Sequence, residues 1–477
     1  MSDHFDLVVL GAGPAGEKGA AQAAYFGKRV CVVEKAPRPG GAALNTGAVP
    51  ARSLRETALA FFRVRQRGLY GVDVRVRGDL SVSDFMLRER TIVEAGWAQV
   101  DENLRRHDVT TIQGEARFLD AETVEVTRYK QPPRQISGDV FLVATGAMPH
   151  RPEHVPFDGN AVVDSDMLLL LPAIPSSLIV VGGGVIGCEY ACTFAALGAQ
   201  VTLVNARDRL ITHVDGDASE ALRQHMTGRL GVNVVSGAEV TRVEAERGVG
   251  QVTLADGTAL HAECVLYCDA RVGNTAALGL DAAGVRANDR GFILVDARFR
   301  TTAPHIYAAG DVIGFPALAS TAMEQARLAV CDAFELTYKQ RLAPVLPYTA
   351  WTIPEIAYAG ETEESARARG LAYETGRASF RLNPRGMMLG EAEGFVKLVF
   401  RPGDQRLLGV TVVGEGAAEV IHVATACMMF GGTIDFFIQS TFAYPTLSDA
   451  YKYAAYDGLQ RLARRHAAGR VRTPTHS

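Results

Sequence analysis

No Cys-x-x-Cys pair occurs in this chain of 477 residues, and its seven cysteines stand singly at Cys31, Cys188, Cys192, Cys264, Cys268, Cys331 and Cys427. No histidine cluster accompanies them, so no metal site is expected. Cys188 and Cys192 fall on one helical segment, Cys264 and Cys268 in a strand region. The odd total and the scatter read as reduced, buried thiols. An excess of positive charge is missing as well. The net charge of −4 excludes a general affinity for nucleic acid or anionic lipid. No apolar run reaches the ~20 residues of a transmembrane helix without a glycine or polar interruption. The opening MSDHFDLVV has no basic segment leading into a signal-like apolar core. A soluble cytoplasmic protein without nucleic-acid or membrane partners is therefore expected.

What is abundant is small and apolar. The chain carries 48 glycines and is nearly half apolar, enough for large cores in about three domains. It is organised around Phe5 to Glu34, FDLVVLGAGPAGEKGAAQAAYFGKRVCVVE. Leu7 to Leu10 form a short apolar run, as in a strand buried on both faces. Gly11 permits a tight turn, Gly13 lets a pyrophosphate approach the backbone, and Gly16 lets the following helix pack close. The helix N-terminus offers N–H groups to phosphates. A second apolar run, Val30 to Val33, ends on Glu34, whose carboxylate can accept from ribose hydroxyls.

The pattern repeats. Ser177 to Val181 precedes Gly182, Gly183, Gly184 and Gly187. A helix runs to about Leu197, and Val201 to Val204 ends at Asn205. Gly11 to Glu34 and Gly182 to Asn205 each span 23 positions. Two equal dinucleotide folds imply two nucleotide cofactors in adjacent domains, an arrangement suited to electron transfer between them. The copies differ where it matters. Glu34 suits a free ribose diol, whereas neutral Asn205, followed by Arg207 and Arg209, can accept a 2′-phosphate. The second site is expected to take NADP and, without a strong basic clamp, NAD as well.

Further along, Ala144-Thr145-Gly146 closes the strand Asp139 to Val143 with a small-residue turn that lets a backbone pass close to a cofactor. Arg271, Gly273 and Asn274 read as a turn and Phe292 to Val295 as a strand. His305 to Ala309 reads as a strand ending in Gly310-Asp311, where a carboxylate can reach a ribityl hydroxyl or a solvent-bridged phosphate. From about Pro347 the pattern becomes α+β, with strands Phe395–Phe400 and Leu407–Val413 around Pro402-Gly403-Asp404. The arginines at 55, 63, 65 and 67 read as a solvated face, and Phe436, Phe437, Phe442 and Tyr444 as core and dimer interface.

These residues resemble the flavoprotein pyridine nucleotide-disulfide oxidoreductases over nearly the whole chain. The likeness rests on GAGPAG with Glu34, ATGAMP (Ala144 to Pro149), VGGGVIGCE (Val181 to Glu189), YAAGDVIG (Tyr307 to Gly314) and WTIPEIAYAGETE (Trp351 to Glu363). The resemblance implies an α/β fold with two Rossmann-like domains for FAD and NAD(P) and a C-terminal α+β dimerisation domain. The expected boundaries are 1–150 with 276–345 for FAD, 151–275 for NAD(P)H, 346–465 for the interface and 466–477 as a flexible tail. It places FAD against Gly11, Gly13, Gly16, Glu34, Gly41, Thr145, Gly146, Gly310 and Asp311. The second nucleotide falls to Gly182, Gly184, Gly187, Asn205 and Arg207.

Two departures limit the chemistry. The redox disulfide of the family lies in a GGTCLNVGC-like segment, and here both cysteine positions are alanine, Ala43 and Ala48. Alanine accepts no electrons, so disulfide reduction by the usual route is excluded. The catalytic His of an HPTxxE motif is Tyr444, a poor acid–base group at an ordinary value of about 10. Within the family the chain is most similar to the soluble pyridine nucleotide transhydrogenases, which share the Tyr-Pro-Thr motif. That group keeps one cysteine and a Lys after Pro-Ser, where this chain has Ala51 and Arg52. The resemblance pairs Arg52 with Glu189 beside the flavin N5, although Arg and Lys are not equivalent donors. It implies a homodimer that moves hydride between NADPH and NAD through FAD. The alternatives are an NAD(P)H reductase for a small-molecule acceptor such as a quinone or dye, and a flavin-bound sensor or structural dimer without turnover.

Overall fold

The computed structural model describes residues 3–67, 86–390 and 393–471. By contacts the chain divides into two units: Met1–Thr57, Leu69–Ile174 and Tyr267–Leu342 form one, and Ala58–Gly68, Pro175–Leu266 and Ala343–Ser477 the other.

In the first unit, β1 (Asp3–Leu10) runs parallel to β2 (Val30–Glu34) on one side and to the strand Arg134–Val143 on the other. Thr110–Gln113 extends the sheet beyond β2, and Ile306–Ala308 joins Arg134–Val143 in parallel. Leu7, Val8, Val9 and Leu10 are all buried, so the apolar run is a strand covered on both faces. Between β1 and β2 lies α1 (Pro14–Tyr25). It packs on the helix Ala319–Ala333 through small side chains. A Cβ on Gly19 would come within 2.6 Å of Leu142 and 3.4 Å of the Ala326 Cβ.

A short helix, α2 (Gly41–Asn45), and a long one, α3 (Ala48–Arg67), follow. The expected solvated arginine face is corrected at its first member. Arg55 shares the buried stripe of α3 with Leu54, Ala58 and Leu59, and its guanidinium meets Glu56 at 2.6 Å. Two more corrections concern pairing. Arg271–Gly273 is a strand, antiparallel to Ala147–Pro149. Phe292 to Val295 is no strand, because only Ile293 bridges a neighbour, Ala287.

The second unit repeats the first design. β3 (Ser177–Val181) pairs in parallel with β4 (Gln200–Asn205), and Asn233–Ser236 continues the sheet. Between them is α4 (Val185–Leu197), which stops at Gly198 in the left-handed region, φ 104°. α5 (Gly216–Gly228) follows β4 and is capped by the Asp215 carboxylate on the Asp217 N–H at 3.0 Å. The same unit holds an antiparallel sheet of Tyr348–Ala350, Ile356–Gly360, Leu407–Val413, Phe395–Phe400 and Glu374–Ser379. Its core includes Phe400, Phe437 and Tyr451, the last two stacked at 4.9 Å. Phe436 and Tyr444 stay exposed. The final helix runs from Ala450 to Val471, so helix replaces the expected frayed tail over residues 466–471. The Ala- and Arg-rich sequence there favours helix. Residues 472–477 lie outside the described residues. No described helix is long and apolar enough to cross a membrane.

Candidate functional site

Five segments of the first unit converge at the C-terminal end of β1. Gly11 turns at φ 103°, and a Cβ there would lie 2.5 Å from the Ala144 carbonyl oxygen. A Cβ on Gly16 would lie 1.8 Å from the Gly11 oxygen, so only glycine lets α1 start this close to β1. Gly13 and Gly41 face each other: a Cβ on Gly41 would sit 2.8 Å from the Gly13 Cα. Gly310, at φ 81°, brings its Cβ position within 3.3 Å of Ala15 and Ala322. The N-cap of α1 is Gly13, with no capping side chain, so its N–H groups remain available to an anion.

The side chains around this turn are held by the protein's own hydrogen bonds. Glu34 accepts from the Ala12 N–H at 2.7 Å with Oε2 and from the Ala36 N–H at 2.7 Å with Oε1. Each oxygen keeps a further lone pair for a hydroxyl. Asn274, expected only in a turn, holds the Ala144–Gly146 loop. Its Nδ2 donates to the Thr145 carbonyl at 3.2 Å, and its backbone N–H to that of Gly146 at 3.0 Å. The Thr145 Oγ1 is buried without a hydrogen-bond partner among the described residues. Gln325 was not singled out in the sequence. Its Oε1 accepts from the Gly310 N–H at 2.9 Å and fixes the approach to Asp311; a lone helical Gln carries no sequence signal for that role. Burial pushes the Asp311 carboxyl above its ordinary value, and the Arg271 guanidinium draws it part-way back. Arg271 also donates to the Ala147 carbonyl at 2.6 Å. An orphaned buried hydroxyl, an uncapped helix start and two facing glycines fit the adenosine and pyrophosphate of FAD.

Ala43 lies in α2 and Ala48 begins α3, both half-buried. The segment keeps its shape without a disulfide. Leu44 fills the space against Gly40 and Gly96, and the Trp97 Nε1 donates to the Asn45 Oδ1 at 2.8 Å. Arg52 projects from the first turns of α3 and is exposed.

In the second unit Gly182 turns at φ 120°, and Gly184 caps α4 with no capping side chain. A Cβ on Gly184 would meet nothing within 4 Å, whereas one on Gly183 would strike Asn205 at 2.5 Å. Gly187 is buried in the first turn of α4. Asn205 is buried and turned to its own loop: its Nδ2 donates to the carbonyls of Arg207 at 2.6 Å and Arg209 at 3.2 Å. Arg207 is exposed, and its side chain has no hydrogen bond or ion pair among the described residues. Arg209 meets Glu364 at 3.0 Å and the Thr212 carbonyl at 2.5 Å. Glu189, in α4, accepts from the Trp351 N–H at 2.7 Å. Burial, with Glu189 adding to it, pushes the nearby Tyr348 hydroxyl up. Tyr444 is 73% exposed, so the structure leaves its hydroxyl at the surface of this unit.

Residues 5–326 match the pyridine nucleotide-disulphide oxidoreductase family, and residues 346–455 match its dimerisation domain. The chain belongs to this family. It is 41% identical over 461 residues to a soluble pyridine nucleotide transhydrogenase of Mycobacterium bovis, covering 96% of this chain and 98% of that protein. A second soluble pyridine nucleotide transhydrogenase, from Colwellia psychrerythraea, is 35% identical, covering 97% and 99%. Among solved structures, LpdA from Mycobacterium tuberculosis superposes with a TM-score of 0.87 at 29% identity, covering 95% of this chain and 99% of that one. The HOCl-induced flavoprotein disulfide reductase RclA from Escherichia coli gives 0.84 at 25% identity, covering 95% and 99%.

As a member of this family the chain is an FAD-dependent NAD(P)H oxidoreductase, and its dimerisation domain supports a homodimer. Among the described residues no group of histidine, cysteine and acidic side chains could hold a metal ion.

Proposed function

We propose that this protein transfers hydride from NADPH to NAD, giving NADP and NADH, without a protein disulfide. The observation that carries this reading is the pairing of two intact nucleotide cradles with alanine at both redox positions, Ala43 and Ala48. Transfer between two nicotinamides needs positioning and a two-electron carrier, not a nucleophile. When bound, FAD would supply that two-electron carrier.

The protein's own residues hold and orient. Gly11, Gly13, Gly16 and Gly41 admit the pyrophosphate of FAD, Glu34 its ribose, Thr145 and Gly146 its adenosine side, and Gly310 and Asp311 its ribityl chain. Gly182, Gly184 and Gly187 admit the pyrophosphate of either nicotinamide nucleotide. The Asn205 loop presents Arg207 to a 2′-phosphate when one is there and carries no carboxylate to repel it. Arg52 and Glu189 take the ordering roles that the likeness to the family gives them. Tyr444, exposed on its unit, serves by contact.

The test is to mix the yellow enzyme with NADPH and thio-NAD and no other acceptor. Ping-pong turnover is expected. Its absence, together with a high kcat/KM for quinones, would assign the protein to the acceptor reductases instead.

A further inference from the structure

We infer that Glu364 determines nucleotide specificity: it takes Arg209 out of the second nucleotide site and leaves Arg207 as the loop's cation for a 2′-phosphate. The inference rests on the nucleotide reading of Gly182–Arg207 given above and deepens it. Two arginines two positions apart, both turned to a 2′-phosphate, would bias the site towards NADP. A transhydrogenase has to bind both nucleotides at comparable strength, so one of the two must be withheld.

The structure withholds Arg209. Its Nη1 meets the Glu364 Oε1 at 3.0 Å, and its Nη2 donates to the carbonyls of Thr212 at 2.5 Å and Val214 at 3.4 Å. The same Glu364 oxygen accepts the Gly216 N–H at 2.9 Å, which ties the pair to the start of α5. Position 216 is glycine for space. A Cβ there would lie 2.5 Å from the Glu364 Oε1 and 3.2 Å from the Arg209 Nη1. The anchor continues inward. Glu363, beside Glu364, pairs with buried Lys397, as do Asp215 at 3.0 Å and Asp217 at 2.9 Å. Glu364 therefore stands on a fixed helix start, capped by Thr362 on the Ser365 N–H at 3.1 Å. It has little freedom to release the arginine.

Arg207 is treated differently. Among the described residues only its carbonyl is engaged, by the Asn205 Nδ2 at 2.6 Å and the Gly237 N–H at 3.2 Å. The intervening Asp208 carboxylate turns to the Gly237 side, 3.1 Å from that residue's Cβ position. The Arg207 guanidinium is thus the exposed cation next to the end of β4, where an adenosine ribose sits in a dinucleotide fold.

The FAD-loaded enzyme should be titrated calorimetrically with 2′,5′-ADP and with ADP, which differ by the 2′-phosphate. Glu364→Gln is expected to tighten 2′,5′-ADP by about three- to tenfold, the size of one charge-assisted contact, with ADP changed less than about twofold. Adding Arg209→Ala to Glu364→Gln should abolish the gain. Gly216→Ala, which displaces the Glu364 carboxylate without changing charge, should shift 2′,5′-ADP the same way and decides the matter should Glu364→Gln fail to fold. The inference is overturned when the gain is absent, equal for both ligands, or retained in the double variant. Arg207→Ala separates the two levels. A selective loss for 2′,5′-ADP without a gain in Glu364→Gln sinks the role of Glu364 alone. No selective loss sinks the nucleotide reading of the loop as well.

Discussion

At Thr145 a hydroxyl is buried with no hydrogen-bond partner among the described residues. A buried donor left unpaired costs about 1–3 kcal/mol, and a partner recovers it. If the partner is FAD, Thr145→Val should weaken FAD binding by about tenfold while leaving the FAD-free protein as stable as before, or more so. Fluorimetric titration of the stripped protein with FAD, beside its thermal unfolding, checks both halves; equal losses in both would make Thr145 structural. The neighbouring glycines were legible in the sequence because their spacing has a steric cause, seen at Gly11, Gly16 and Gly41. Asn205 was half legible. Its neutrality could be read, but its burial and its commitment to the loop carbonyls could not. Arg55 was misread as solvated, since a charge in a run of arginines looks the same whether its helix turns it inward or outward.

Among the elements, the strand Phe395–Phe400 carries the clearest conflict between local pattern and environment. It is buried throughout, yet Lys397 sits in its middle. Its ammonium reaches Asp215 and Asp217 at 3.0 and 2.9 Å, and Glu363 as well. Burial pulls the ammonium down, but Asp215, Glu363 and Asp217 outweigh it and hold it above the ordinary lysine value. Removing the cation leaves Asp215, which is fully buried, without its partner. Lys397→Met should therefore cost about 3–5 kcal/mol near neutral pH. The sign of the pH dependence follows from the raised folded value. The group's contribution is complete below the unfolded lysine value of about 10.4 and is lost as pH rises through the folded one. Urea unfolding from pH 8 to 12 should show wild type losing more stability across the alkaline range than Lys397→Met. Parallel curves would dismiss the account. The two β-α-β repeats were legible because continuous apolar runs between glycine turns have few other solutions. Phe292 to Val295 has the same look but pairs through only Ile293, since strand formation needs a neighbour that sequence does not supply.

For the molecule as a whole, the match of residues 346–455 to the dimerisation domain gives the exposed aromatics of that region a use. Phe430 is 92% exposed at the end of the helix Ala417–Met429, a costly placement for a ring in water. Phe430→Asp is expected to weaken self-association by at least about tenfold, read by sedimentation equilibrium with FAD bound. An unchanged dimer constant would place the contact elsewhere on the domain. By contacts the nucleotide repeat 175–266 and the C-terminal region form one unit, although the sequence presents them as separate domains. Lys397, Glu363 and Glu364 are part of what joins them, through Asp215, Asp217 and Arg209.

The sequence by itself determined the two dinucleotide folds, the acid that ends the first and the neutral residue that ends the second, and the alanines at positions 43 and 48. These are matters of residue type at fixed spacing, where backbone sterics and electron-accepting capacity allow little else. Which of two nearby arginines stays free for a ligand was decided only by the tertiary structure. Arg207 and Arg209 carry the same charge in the sequence. Glu364, distant along the chain, claims one of them, and an ion pair made across such a distance leaves no local mark in the sequence.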